Sequence, residues 1–371
     1  MSQLEGIIRA GILETGPIRF DRFMEQALYH PGLGYYAKTG GPSPIGRSGD
    51  FFTSVSVGPL FGRLLARQFY QMWNVLEKPR PFALIEQGAH DGQLARDILD
   101  WCRAETPDFF EAIQYVIVHG SGSVPPDTAE FAGRITCVED LESLTARSVA
   151  IFFSNELVDA FPVRRVVRSS GAWLEQHVGI DDEKLIWTNQ PIDDAELTQA
   201  IDELNLPPIE GYTTEINLRA RHWIGRVART TNRGYILTID YGYPASIYYA
   251  PFRTAGTLTA RVKHRRVDDV LAEPGGCDIT AHVDFTALAR SGEAAGLATL
   301  GFVDQQRFLT GIAHDELSGA EGPRVKIQEN LGAWQTLTHP EHFGARFQVL
   351  LQAKNAPGSL DGLRFARPGG L

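Results

Sequence analysis

The sequence predicts an α/β fold built on a mostly parallel sheet, and three observations predict it. Leu84-Ile85-Glu86-Gln87-Gly88-Ala89-His90-Asp91-Gly92 reads as a short buried strand running into a tight glycine turn, with Leu94, Ile98 and Trp101 following at helical spacing. Other apolar runs also end in polar residues: residues 115–118 lead to His119, residues 148–153 to Asn155 and Glu156, and residues 235–239 to Asp240. In open α/β sheets the carboxyl ends of the strands form the ligand edge. Finally, residues 297–302 and 347–354 have the texture of the antiparallel ending common in large α/β sheets.

Composition narrows the function. The 371 residues suffice for one large α/β domain or two modest ones, and 43% apolar content is normal for a globular protein. A net charge of −10 with scattered Lys and Arg argues against nucleic acid as the main partner. The one basic run, Arg261-Val262-Lys263-His264-Arg265-Arg266, reads as a solvated surface. Three separated cysteines without a CxxC pair fit a reducing compartment. No His pair has HxH or HxxxH spacing and no Ser sits in a Gly-x-Ser-x-Gly elbow, so neither a metal centre nor a hydrolase triad is expected. No apolar run reaches the roughly 18 residues that span a bilayer. With no secretory or transit pattern at the N-terminus, the expected location is cytoplasmic.

In chain order, residues 4–12 and 19–28 read as two short helices around Gly16-Pro17, followed by an aromatic loop with Tyr29, Tyr35 and Tyr36. A Gly/Pro/Ser segment, 40–49, leads to Asp50-Phe51-Phe52-Thr53-Ser54 and then a helix over 59–76. The opening strand, turn and helix come next, then strands at 115–118, 135–138 and 148–154. Residues 164–187 alternate as a β-hairpin or meander inserted in the sheet domain. An amphipathic helix is expected over 193–204 and a longer one over 214–230, with Glu215 and Asn217 near its start. A strand at 234–242 ends in Asp240, and residues 278–285 open a helix ending near Gly296. The expected divisions are an N-terminal helical lid region (1–78), a first sheet segment (79–163), an insertion (164–230), the remainder of the sheet domain (231–356) and a loose tail (357–371).

By residues alone, the turn at Gly88 and Gly92 fits either an ordinary strand-to-helix connection or a nucleotide-type loop, since a single glycine motif is a weak signal. Asp50, Thr53 and Ser54 fit either helix caps or a ligand lid. Asn155, Glu156 and Asp159 place an amide and two acids within five residues at a strand end, more than one helix cap needs.

Taken together, these stretches resemble the MidA family of class I S-adenosylmethionine-dependent methyltransferases, whose best-known member is a mitochondrial arginine methyltransferase needed for assembly of respiratory complex I. The matching pieces keep their order over nearly the whole chain. They are Gly16-Pro17-Ile18; Tyr29-His30-Pro31 with Gly34-Tyr35-Tyr36; Gly49-Asp50-Phe51-Phe52-Thr53-Ser54; Glu86 with Gly88, Gly92, Leu94 and Asp97; Asn155-Glu156 with Asp159-Ala160; Asp240-Tyr241-Gly242; Gly256-Thr257-Leu258; and residues 278–285. The resemblance implies a Rossmann-like, seven-stranded sheet with an N-terminal lid and a mid-chain insertion. It implies S-adenosyl-L-methionine as cofactor and a protein substrate, a respiratory-complex subunit being one candidate.

Carried over by residue, Gly88, His90 and Gly92 would cradle the methionine end of the cofactor. Glu86 would face its polar side, His119 would stand near the ribose, and Asp50, Phe51 and Thr53 would close over it. Asn155 would border both cofactor and acceptor. Glu156 is the first choice for holding an arginine guanidinium and Asp159 the second, because carboxylates bind that planar cation by paired hydrogen bonds. The chain departs from the family pattern at His90, where a glycine is usual; at His119, where an acid is usual; and at Val55-Ser56-Val57, where Pro-Glu is usual. These departures keep two other readings open: a methyltransferase with a small-molecule acceptor, and a non-catalytic relative serving as an assembly or binding module.

Overall fold

The computed structural model describes residues 2–37, 53–120, 125–182, 184–262, 265–367 and 370–371. Its centre is a sheet whose strands we number β1 (Phe82–Gln87), β2 (Ile113–Val118), β3 (Ile135–Val138), β4 (Ala150–Asn155), β5 (Gly234–Tyr243), β6 (Ala298–Asp304) and β7 (Phe347–Lys354). Their order across the sheet is β3-β2-β1-β4-β5-β7-β6. Strands β1 to β5 pair in parallel, whereas β7 runs antiparallel to both β5 and β6. The sheet counts eight strands, one more than expected, because the two-residue strand Val283–Asp284 pairs with the end of β5.

Burial on both faces explains the near-continuous apolar runs of the central strands. Leu84, Tyr115, Ile117, Phe153 and Leu237 face one way, in one core with residues of the helices Leu60–Val75, Gln93–Glu105 and Gln305–Leu317. Ile85, Val116, Phe152 and Ile236 face the other way, in a second core with residues of the helices Leu218–Val227 and Phe285–Ala294. The helices Gln3–Thr15 and Phe20–Tyr29 belong to a third core with Val178, Leu185, Ala260 and Ile279.

Residues 164–191 form no part of the central sheet. Their three strands, Arg164–Ser169, Ala172–Asp181 and Lys184–Pro191, build a separate antiparallel sheet with Ile18–Arg19 and Thr213–Ile216. The first turn works because Ser170 and Gly171 both take positive φ, 50° and 78°, as a tight primed hairpin turn requires.

Two expected helix starts are strands. Residues 213–216 are extended, and the helix begins only at Leu218, capped by the Asn217 side chain on the Ala220 amide. Pairing with Arg164–Val167 overrides the helical spacing there. Residues 278–280 and 283–284 are likewise extended, and Asp284 caps the helix Phe285–Ala294. The basic run forms a hairpin, Thr259–Val262 with Arg265–Val267, whose Arg261, Arg265 and Arg266 are exposed. Lys263 and His264 lie outside the described residues.

The antiparallel sheet contains a buried ion pair. Arg164 donates from Nη2 to Glu175 Oε2 at 2.6 Å, pairs through Nε with Oε1, and reaches Asp194 Oδ2 from Nη1 at 2.6 Å. With side-chain exposures of 5% for Arg164 and 1% for Glu175, loss of Arg164 leaves the buried Glu175 charge with only His177 Nε2, at 3.5 Å, beside it. Removing one partner of such a pair costs about 3–5 kcal/mol. Arg164→Ala is therefore expected to lower stability by about that amount, read as a fall in the urea midpoint at unchanged slope.

Candidate active site

The site lies where β1, β4 and β5 end on the same edge of the sheet. After β1 the backbone alternates: Gly88, His90 and Gly92 all have positive φ, at 88°, 28° and 75°. The loop thus keeps a glycine-type backbone although a histidine occupies its middle position. The conformation is confined by neighbours. A Cβ on Gly88 would come within 3.2 Å of Leu157 Cδ1, and one on Gly92 within 3.1 Å of Pro126 Cβ. The helix Gln93–Glu105 starts directly after the loop, so its N-terminus lies at this edge, with the Gln93 N–H taken by Asp91 Oδ1 at 3.0 Å.

Glu86 is buried, and its Oε2 accepts the Tyr115 hydroxyl at 2.5 Å. Burial pushes its carboxyl up to about 7, against the lowering effect of that hydrogen bond. Gln87, the last residue of β1, accepts the Trp223 indole N–H at 2.8 Å, which ties the loop to the helix Leu218–Val227. His119 is half-buried beyond β2, with Nδ1 3.2 Å from the Gly120 carbonyl. His90, in the middle of the loop, is exposed.

The second half of the site is the turn after β4. Asn155 donates from Nδ2 to Glu156 Oε1 at 3.1 Å, while its own Oδ1 is buried without a partner among the described residues. Glu156 has φ 54°, rare for a residue with a side chain, and its N–H donates to the Ile239 carbonyl at 2.9 Å. The Ser54 backbone also hydrogen-bonds the Glu156 carboxyl. Thr53 is buried, its hydroxyl 2.8 Å from Ser56 Oγ. Asp50 and Phe51 lie outside the described residues.

Four carboxyl groups act on one another here: Glu156, Asp159, Asp240 and Asp278. Burial pushes the Glu156 carboxyl up to about 8, and the negative charges of Asp240 and Asp278 add to it. The same causes, with Glu156 itself, hold Asp159 well above the usual carboxylate range. Among the described residues neither Glu156 nor Asp159 has a cationic partner within ion-pair distance. The N-terminal region reaches the same place. Tyr36 donates to Asp278 Oδ1 at 2.7 Å, Tyr29 donates to the Ala160 carbonyl at 2.9 Å, and the two rings stack at 5.7 Å. Sequence reasoning left Asp240, Asp278 and Tyr36 out of the site. The acids at strand ends were a signal, but the Tyr36–Asp278 contact spans 242 positions and leaves no local trace.

The residues present fit an S-adenosyl-L-methionine site. A positive-φ loop exposes backbone at a helix N-terminus, and Asn155 Oδ1 is a buried acceptor facing no donor of its own. Such an acceptor suits an ammonium or hydroxyl group of the ligand.

Comparison with known proteins agrees. The family described as "Putative S-adenosyl-L-methionine-dependent methyltransferase" matches residues 64–303. The chain is 28% identical to the protein arginine methyltransferase NDUFAF7 homolog, mitochondrial, of Drosophila melanogaster, over 92% of this chain and 83% of that protein. It is 26% identical to the mitochondrial protein arginine methyltransferase NDUFAF7 of Homo sapiens, covering 91% and 80%. A COG1565 superfamily structure from Burkholderia thailandensis bound to S-adenosyl-homocysteine superposes with a TM-score of 0.84 at 31% identity, covering 99% of this chain and 96% of that one. The mitochondrial relatives overturn the expected cytoplasmic location, which rested on the unpaired cysteines and on the lack of a recognisable targeting pattern or apolar span. No helix among the described residues is long and apolar enough to cross a membrane. With the family match spanning well over half of its length, the chain belongs to this family of S-adenosyl-L-methionine-dependent methyltransferases.

Proposed function

We propose that this methyltransferase acts on an arginine side chain of a protein. One observation carries the reading: buried carboxyls that raise one another's proton affinity cluster beside the cofactor loop, with no cation on Glu156 or Asp159 among the described residues. Such a cluster is poor at holding anions or neutral groups and suited to a planar cation. The names of the NDUFAF7 relatives point the same way.

When bound, S-adenosyl-L-methionine supplies an electrophilic methyl group on a positively charged sulfur. Gly88, His90 and Gly92 would hold its methionine end, with Asn155 Oδ1 accepting a hydrogen bond; Glu86 and His119 would face its ribose side. Glu156 and Asp159 hold the guanidinium by charge-assisted hydrogen bonds and orient one nitrogen toward the cofactor. Glu156 takes the proton that this nitrogen must lose, a role matched to a carboxyl whose proton affinity lies near neutral pH. The segment carrying Tyr29 and Tyr36 covers this edge and excludes water, through the Tyr36 bond to Asp278 and the Tyr29 bond to the Ala160 carbonyl, and residues 164–230 form an insertion beside it.

Incubating the full chain with methyl-labelled cofactor and a mitochondrial protein extract tests the reading. Methylarginine in digested protein supports it, whereas label confined to small molecules refutes it.

The acidic cluster also fixes the pH dependence. Below about pH 8 the Glu156 carboxyl is mostly protonated and gives no charge to hold a cation, and above it the group ionises; Asp159 is held protonated by the same causes. The kcat/KM for the arginine acceptor is expected to rise tenfold per pH unit and level off near pH 8, the limb belonging to the cluster as a whole. The kcat limb should lie at lower pH, because the bound guanidinium stabilises the ionised carboxylates.

A further inference from the structure

We propose that Asp240 is the positioning residue of the acceptor site: from β5 its carboxylate holds the backbone turn that presents Glu156 and Asp159. The proposal rests on the functional reading above for what the turn presents, but not for how it is held.

Asp240 is fully buried in β5, three residues before its end at Tyr243. Its Oδ2 accepts three consecutive amides of the neighbouring connection: Leu157 at 3.2 Å, Val158 at 2.8 Å and Asp159 at 3.3 Å. Its Oδ1 accepts the Tyr241 amide at 2.8 Å. The short helical turn Val158–Ala160 has no side-chain cap from its own preceding residue. Asp240 therefore does across strands what a capping side chain does locally, satisfying N–H groups at the start of a helical turn.

Position matters because Glu156 stands in a conformation that residues with side chains seldom adopt. Such a conformation persists when its surroundings over-determine it. Here two consecutive residues of β5 do so: the Ile239 carbonyl takes the Glu156 amide, and Asp240 takes the next three. The backbone is thus held at Glu156 and at the three residues that follow, and the turn cannot leave this conformation without breaking these bonds.

Asp240 also contributes charge. Glu156 is faced by Asp240 and Asp278, by the Asn155 amide and by the Ser54 backbone. Asp159 is faced by Asp240, Asp278 and Glu156. Tyr29 and Tyr36 adjoin Asp159 and Asp278, and Tyr241 adjoins Glu156, Asp159 and Asp240, with Arg261 on its outer side. Burial pushes the Asp240 carboxyl itself up to about 7, and above that pH its charge opposes ionisation of both acceptor carboxyls, an effect that a purely structural cap would not have.

The test uses the full chain with Asp240→Asn and Asp240→Glu. Asparagine keeps the shape, loses the charge and, with its oxygen toward the three turn amides, sets its N–H₂ against the Tyr241 N–H; glutamate keeps the charge but displaces its oxygens by one methylene. Both variants should bind S-adenosyl-homocysteine in calorimetry within about threefold of wild type, since Asp240 does not touch the glycine loop. Deuterium exchange at the amides of residues 157–159 should accelerate by at least about tenfold in both. The Glu156 titration midpoint, followed by carboxyl carbon resonance, should fall by about one pH unit in Asp240→Asn and stay in place in Asp240→Glu. With an arginine acceptor, kcat should drop by about thirtyfold or more at unchanged cofactor KM. Unchanged exchange in both variants, or a Glu156 midpoint indifferent to the Asp240 charge, overturns the proposal. Exchange and titration need no acceptor, so a wild-type chain that methylates no arginine refutes the functional reading while these two measurements still decide the role of Asp240. If Asp240→Asn does not fold, exchange in Asp240→Glu decides it.

Discussion

Gly234→Ala is expected to destabilise the protein by about 3–5 kcal/mol, the sum of a forbidden backbone conformation and a steric clash. Gly234 opens β5 with φ 143°, a region closed to residues with a side chain. A Cβ there would lie 1.8 Å from the Ala150 carbonyl oxygen and 2.9 Å from its carbon. Both are main-chain atoms of the adjacent strand, so no rotamer change relieves the contact. Ala150 is the register partner of Gly234 in β4, and Lys354 is its partner in β7. Relief therefore requires β5 to leave β4 at the middle of the sheet. Gly11→Ala provides the control. Gly11 lies inside the helix Gln3–Thr15, where an added Cβ would meet nothing within 4 Å, and alanine there should stabilise by about 0.5–1 kcal/mol. Urea unfolding of the two variants checks both signs. Equal midpoints would mean that β5 tolerates displacement from β4. Because Gly234 lies at the opposite end of β5 from Asp240, the folded fraction of Gly234→Ala should still bind S-adenosyl-homocysteine.

The parts of the fold legible in the sequence are those dictated by local pattern. Strands buried on both faces read as unbroken apolar runs, so β1, β4 and β5 stood out, each with its polar residue at the ligand edge. Glu215 shows where local pattern fails. Its neighbours Ile216, Trp223 and Ile224 repeat at helical spacing, yet Thr213–Ile216 is a strand because it pairs with Arg164–Val167. Glu215 is buried there and accepts the Thr257 amide at 2.7 Å, an interaction 42 positions long. The candidate site divides in the same way. Glu156 and Asp159 were legible as surplus acids at a strand end, but the partners that set their proton affinity come from distant segments. Asp240 acts on them from β5 and Asp278 from beyond the basic hairpin. The middle of the glycine loop shows another limit: His90 departs from the expected residue type, while its positive φ preserves the expected backbone.

Glu156→Gln is expected to abolish methyl transfer, with a loss of about a thousandfold, because it removes a charge that holds the acceptor and the atom that takes its proton. Glutamine keeps an oxygen for the Asn155 amide, so the turn and its bond to Ile239 survive, and S-adenosyl-homocysteine affinity should change by less than about twofold. The same substitution should stabilise the protein, and the pH dependence of that gain identifies the cause. The folded-state value for Glu156 lies at about 8, above the ordinary value of 4.5, so the fold favours the protonated form. Wild-type stability from this group is complete below pH 4.5 and is lost as pH rises through 8. Glutamine cannot ionise and loses nothing over that interval. The stability difference should therefore be near zero at about pH 4.5, widen across the window, and level off above about pH 8 at about 1–3 kcal/mol in favour of the variant. Thermal melts at about pH 5, 7 and 9 measure it alongside transfer assays. A variant that loses transfer but gains no stability at the alkaline end would place the Glu156 carboxylate in contact with solvent or a counter-ion and undercut the buried acidic cluster. A variant that gains stability and keeps transfer would move the proton-accepting role to Asp159. Loss of transfer with gain of stability is the joint signature of a carboxyl held against its own solvation to meet a cationic acceptor.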